Sequence, residues 1–125
     1  MQKAPKMSEA EWQVMRAVWG KTSVTAQEII EEVGPKAKWS PATVKTLLNR
    51  LLTKGALRFE KTGKSYLYRA AFTERDFMSA EAETFLDRFF GGGLSPMLAH
   101  FVKSRKLTKP EIAELERILR EGSGE

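Results

Sequence analysis

Apolar positions recur at helical spacing through the first third of the chain, alternate in the middle, and return to helical spacing at the end. Trp12, Met15, Val18 and Trp19 form the first stripe. Ser8 and Glu11 ahead of it make a capping box, residues 1–7 read as a loose tail, and Gly20 is the expected stop. Ser23-Val24 is no more than a short edge strand. Thr25 and Glu28 cap a second helix with Ile29, Ile30 and Val33 inward, which Gly34-Pro35 is expected to break. Ser40-Pro41 opens a third helix, with Val44, Leu47, Leu48, Leu51 and Leu52 on one side and Gly55 as its stop.

From Leu57 the period becomes two. Leu57, Phe59 and Lys61 alternate with Arg58, Glu60 and Thr62; beyond Thr62-Gly63-Lys64, Tyr66 and Tyr68 interleave with Ser65, Leu67 and Arg69. This pattern predicts a β-hairpin with a basic tip. Three more helices follow. The first starts at Thr73 and stops at Gly91-Gly92-Gly93, the second begins near Ser95-Pro96, and the third is capped by Thr108 with Glu111. The tail Gly122-Ser123-Gly124 is expected to fray. The fold class is mainly α with a small hairpin. Residues 1–71 read as a winged helix-turn-helix and residues 72–125 as a three-helix region.

Charge sharpens this picture. The net charge is +5, but residues 1–70 carry +7 and residues 71–125 carry −2. Between Lys36 and Lys64 stand eight cations and one acid, Glu60. Such a field favours a polyanion, whose neutralised phosphates release counterions; a solubilising surface is the plainer alternative. The chain has no cysteine and a single histidine, His100, which removes disulfides, thiolate zinc sites and multi-histidine metal sites. No cofactor is expected. No apolar run is long enough for a bilayer and no signal-peptide pattern is present, so a cytoplasmic location is expected. No pair of catalytic groups stands out, and enzyme is the weakest class.

The third helix carries the candidate chemistry. Opposite its leucines lie Thr43, Lys45, Thr46, Asn49 and Arg50, with Ser40 at its start. An amphipathic helix with a merely solvated face would also show this pattern. In a helix-turn-helix, however, the second helix enters the major groove and its leading residues reach base edges. Asparagine matches adenine, arginine or lysine matches guanine, and a threonine methyl can meet thymine. Arg50 is alternatively a backbone contact or a partner of Glu60. Arg58, Lys61, Lys64 and Ser65 on the hairpin would hold the flanking DNA backbone. A winged-helix module that binds protein and reads no DNA is the competing function.

Residues 71–125 carry six phenylalanines along with three short helices, more aromatic surface than so small a unit buries alone. A second copy of the chain is the expected partner, since two-fold dimers are the commonest symmetric assembly. Packing back on the N-terminal domain is the alternative.

The segments "SEAEWQVMRAVWGKTSVTAQEIIEEV", "WSPATVKTLLNRLLTKGAL", "GKSYLYRAAFTERDF" and "FFGGGL" together resemble the penicillinase-repressor family. That family includes the BlaI and MecI antibiotic-resistance repressors and the CopY copper-responsive repressors. The resemblance spans roughly Met7 to Leu119. It implies a homodimeric repressor whose winged helix binds a double-stranded palindromic operator with TACA/TGTA half-sites. It puts Thr43, Lys45, Thr46, Asn49 and Arg50 on the reading helix, and Lys61, Lys64 and Ser65 on the wing. It puts Phe77, Phe85, Leu86, Phe89, Leu98, Phe101, Leu115 and Leu119 on the dimer helices. The copper-sensing branch carries a C-terminal cysteine cluster, and this chain ends "EGSGE" instead. The antibiotic-resistance branch is inactivated by a protease cutting between asparagine and phenylalanine. The matching bond here is His100–Phe101, with the asparagine replaced. The inducing signal stays open.

Overall fold

Four reciprocal caps set the starts of α-helices in the computed structural model, which describes residues 4–104 and 106–123; two further helices start without one. Ser8 and Glu11 exchange backbone–side-chain hydrogen bonds at 2.8 and 3.1 Å; Thr25 with Glu28, Thr73 with Asp76 and Thr108 with Glu111 do the same. Each pair satisfies two first-turn amides that the helix itself leaves open. The elements run α1 (Glu9–Val18), β1 (Val24–Thr25), α2 (Ala26–Ala37), α3 (Pro41–Lys54), β2 (Leu57–Thr62), β3 (Ser65–Ala70), α4 (Glu74–Phe90), α5 (Leu94–Lys103) and α6 (Lys109–Ser123). The sheet order is β1-β3-β2, all antiparallel. Thr62 pairs with Ser65, so Gly63-Lys64 forms a two-residue turn, with Gly63 at φ 63°.

The chain divides into two compact units, Met1–Ala82 and Glu83–Glu125. In the first, the inward faces of α1, α2 and α3 meet on Val14, Met15, Ile29, Val44, Leu48 and Leu51, closed by Val24 and Leu57 from the sheet. Burying each such side chain is worth about 1.5–3 kcal/mol. Trp12, Trp19 and Trp39 pack around this core.

Several expectations need correction. The division between the units falls inside α4, whereas the sequence suggested 71/72. The cause is Phe77, which is 1 % exposed and packs edge-on to Trp12 and Phe72 and tilted against Trp19. Phe77 is therefore a core residue of the first unit, and its ring is not available to a second copy. Residues 4–7 are not a loose tail. Ala4 and Met7 pack on the core, and the Lys6 carbonyl accepts a hydrogen bond from Lys54 Nζ. Residues 1–3 lie outside the described residues.

Gly34-Pro35 does not break α2, which continues to Ala37. In the last turn the missing proline amide removes only one helical bond, and Gly34 has no Cβ for the proline ring to meet. The chain reverses instead at Lys38, left-handed at φ 59°, with the Lys38 and Trp39 amides both donating to the Gly34 carbonyl. A Cβ at Gly34 would sit 3.3 Å from the Trp39 carbonyl, so glycine also allows this close turn. α1 stops at Val18 with Trp19 as its cap, ahead of Gly20. α5 starts at Leu94, ahead of Ser95-Pro96, since a first-turn proline sacrifices no helical bond. Gly122 and Ser123, expected to fray, belong to α6; Gly124 lies outside the described residues.

Candidate nucleic-acid interface

The helix α3 turns its leucines inward and everything polar outward. Val44, Leu47, Leu48 and Leu51 are buried, while Ser40, Thr43, Lys45, Thr46, Asn49 and Arg50 are all exposed. Thr46, Asn49 and Arg50 line one shallow groove, joined by Thr53 and Lys54. The threonine hydroxyls are partly engaged by the helix itself. Thr46 Oγ1 donates to the Ala42 carbonyl at 3.0 Å and Thr53 Oγ1 to the Asn49 carbonyl at 2.9 Å. Each hydroxyl keeps acceptor capacity. The long donors in the groove are Asn49 and Arg50.

The start of α3 is more occupied than a phosphate cradle would be. Ser40 Oγ accepts from the Thr43 amide at 3.2 Å and contacts the Thr43 hydroxyl at 3.1 Å. The Val44 amide bonds the Ser40 carbonyl, and Pro41 has no amide at all. The Ala42 amide is left without a partner within the helix, beside the Ser40 and Thr43 hydroxyls.

The wing presents Arg58, Lys61, Lys64 and Ser65, all exposed. Arg58 lies directly across from Arg69, and Glu60 answers this like-charge pair by accepting from Arg69 at 3.3 Å. Glu60 is thus bonded to Arg69; the alternative pairing with Arg50 is not formed.

One contributor went unread in the sequence. Glu11 is 2 % exposed in the first turn of α1, and its Oε1 accepts from Lys54 Nζ at 2.5 Å. Lys54 also donates to the Lys6 carbonyl at 3.0 Å. Together they tie the last turn of α3 to the first turn of α1. Glu11 Oε2 is buried without a partner, a cost of about 1–3 kcal/mol that the tie carries with it. Burial pushes the Glu11 carboxyl up, but the hydrogen bonds from Lys54 and from the Ser8 amide and hydroxyl outweigh it, so its pKa falls below the ordinary value. The available signal was an acid in an apolar stripe: Glu11 sits four residues before Met15 and seven before Val18.

In the second unit, no described residue is fully buried. Phe85 stacks with Phe89 and Phe90 at centroid distances of 5.2 and 5.8 Å, and Phe85 and Phe89 are 42 and 60 % exposed. Leu86, Leu98, Phe101 and Leu115 are half-buried, and Leu119 is exposed. His100 and Phe101 lie within α5, the imidazole contacting the rings of Phe90 and Phe101. Among the described residues no cluster of three or more metal-ligating side chains occurs, and no helix is long and apolar enough to cross a membrane.

The family model of the penicillinase repressors matches residues 7–121. This chain belongs to that family. The penicillinase repressor of Bacillus licheniformis is 38 % identical over 121 residues, 97 % of this chain and 94 % of that one. The methicillin resistance regulatory protein MecI of Staphylococcus aureus is 35 % identical over 117 residues, covering 94 and 95 %. The solution structure of the monomeric Bacillus licheniformis BlaI in complex with the blaP half-operator matches with a TM-score of 0.54 at 39 % identity. It covers 61 % of this chain and 93 % of that one. The free DNA-binding domain of BlaI matches equally. Penicillinase-repressor membership places the chain among DNA-binding repressors with a winged helix.

Proposed function

We propose that two copies of this chain form a repressor that holds a palindromic operator with TACA/TGTA-type half-sites, one half-site to each α3. The observation that carries this reading is the outward row on α3, where Asn49 and Arg50 stand exposed along a groove shared with Thr46, Thr53 and Lys54. Amide and guanidinium groups are the side chains that pair two-pronged with adenine and guanine. The complex of BlaI with a half-operator supports assigning one half-site to one first unit. The half-exposed phenylalanines of the second unit supply the apolar surface for a two-fold partner, and that symmetry matches a palindrome.

Titration of the full chain with a TACA/TGTA duplex and with a scrambled duplex tests the reading. Preference for the palindrome, with affinity falling steeply as salt rises, is expected. Equal binding to both at moderate salt overturns it. Release by a protease at His100–Phe101 requires unwinding of α5 first, because a helical bond is not presented as an extended substrate. Mass spectrometry of the chain recovered from derepressed cells decides that step. A fragment ending at His100 supports it, and an intact chain overturns it.

A further inference from the structure

The hairpin has a face that its charges do not explain. Leu57, Phe59 and Lys61 point to one side of β2, and Ala70, Tyr68 and Tyr66 stand opposite them on β3. Near the core this face is sealed: Leu57 is 2 % exposed. Farther out it stays aromatic although nothing covers it, with Phe59 52 % and Tyr66 47 % exposed. A hairpin whose only task is structural would turn polar there. The rings are already organised. Phe59 meets Tyr66 edge-on at 5.4 Å and leans on Tyr68 at 6.4 Å, while Lys61 Nζ lies 6.0 Å from the Tyr66 ring centre. Lys61 shares this face and Lys64 stands at the turn beside it, while Arg58, Arg69 and Glu60 occupy the opposite face.

We propose that Phe59 and Tyr66 form an apolar contact with duplex DNA, seating the deoxyribose edge of the backbone beside α3's half-site while Lys61 and Lys64 take its phosphates. Charge complementarity selects this occupant. A backbone strand offers phosphates spaced by apolar sugar faces, and this surface offers ammonium groups beside two rings. The contact rests on the reading of the chain as an operator-binding protein. It adds a non-ionic share of affinity, carried by residues that charge alone does not single out. Ring area leaves water and no counterion is released, so this share does not depend on salt.

The experiment is a salt series of operator titrations with the full chain and its variants. The Phe59→Ser/Tyr66→Ser variant is expected to bind about tenfold more weakly with an unchanged salt slope. Lys64→Ala is expected to lower the slope by about one. Phe59→Leu/Tyr66→Phe keeps the apolar area and is expected to bind like the parent, which keeps the test valid if the serine variant does not fold. Parental affinity in a folded serine variant overturns the inference, as does a tenfold loss shared by the conservative variant. So does a change of oligomeric state at unchanged DNA affinity, which would make the patch a protein interface. A parent chain that does not prefer the operator overturns the operator reading instead, and the two failures are thereby distinct.

Discussion

Two single residues carry costs that the rest of the molecule must offset. Glu11 is a buried carboxylate whose pKa is lowered, against the upward push of burial, by Lys54 and Ser8. A lowered carboxyl pKa means that the unfolded chain binds the proton more readily. Its stabilisation is therefore complete above the ordinary value of 4.5 and is lost as pH falls through the depressed folded value. Glu11→Gln is expected to unfold about 1–3 kcal/mol more easily at neutral pH, since the charge-assisted bond from Lys54 to the buried carboxylate is lost. The gap to the parent should narrow below pH 4.5. Denaturant titrations at neutral and acid pH read both effects, and a gap that does not change with pH would assign the loss to packing. Lys38 is the second case. It holds φ 59° at the end of α2, where a side chain is strained. Lys38→Gly should raise stability by about 0.5–1 kcal/mol, seen as a higher denaturation midpoint. An unchanged or lower midpoint would mean that the added freedom of the unfolded chain cancels the relief.

At the level of elements, α3 is where function is most sharply exposed to test. Asn49→Ala and Arg50→Ala leave the buried leucine face intact, so the folded state should survive. Loss of about 1–3 kcal/mol on the operator, with little loss on scrambled DNA, is the expected mark of a base contact. Equal loss on both duplexes would make the residue a backbone contact. Much of this element was legible beforehand: Ser40-Pro41 and Gly55 bound α3 as expected, and its period separates leucines from donors. The alternation from Leu57 to Arg69 likewise located the wing, and the paired strands follow it. What could not be read was tertiary. Pro35 looks like a breaker until the turn at Lys38 shows where the chain reverses. Phe77 shares its spacing with Phe85 and Phe89, and local pattern cannot tell a ring that meets Trp12 from one left in solvent. Lys54 counts as surface charge in the sequence and is engaged by Glu11 and Lys6 in the fold.

At the scale of the whole molecule, one chain shows two separate features, an exposed polar face on α3 and an incompletely buried second unit. If the second unit pairs two copies, binding of one half-site raises the effective concentration of the other copy at the adjacent half-site. The gain in such linked binding is about 100-fold or more when the geometry fits. Phe89 is the place to break it. Its ring is 60 % exposed in the single chain, so Phe89→Glu should cost the isolated fold little. A charge set into an apolar pairing face is costly to bury, and the variant should sediment as a monomer where the parent is a dimer. Its affinity for a single half-site should match the parent, because α3 and the wing are untouched. Its affinity for the full palindrome should fall by about 100-fold, the share contributed by linkage. A variant that remains dimeric would move the pairing surface away from the Phe85–Phe89 face. A parent that is itself monomeric at micromolar concentration would remove the two-fold partner and leave a reader of single half-sites.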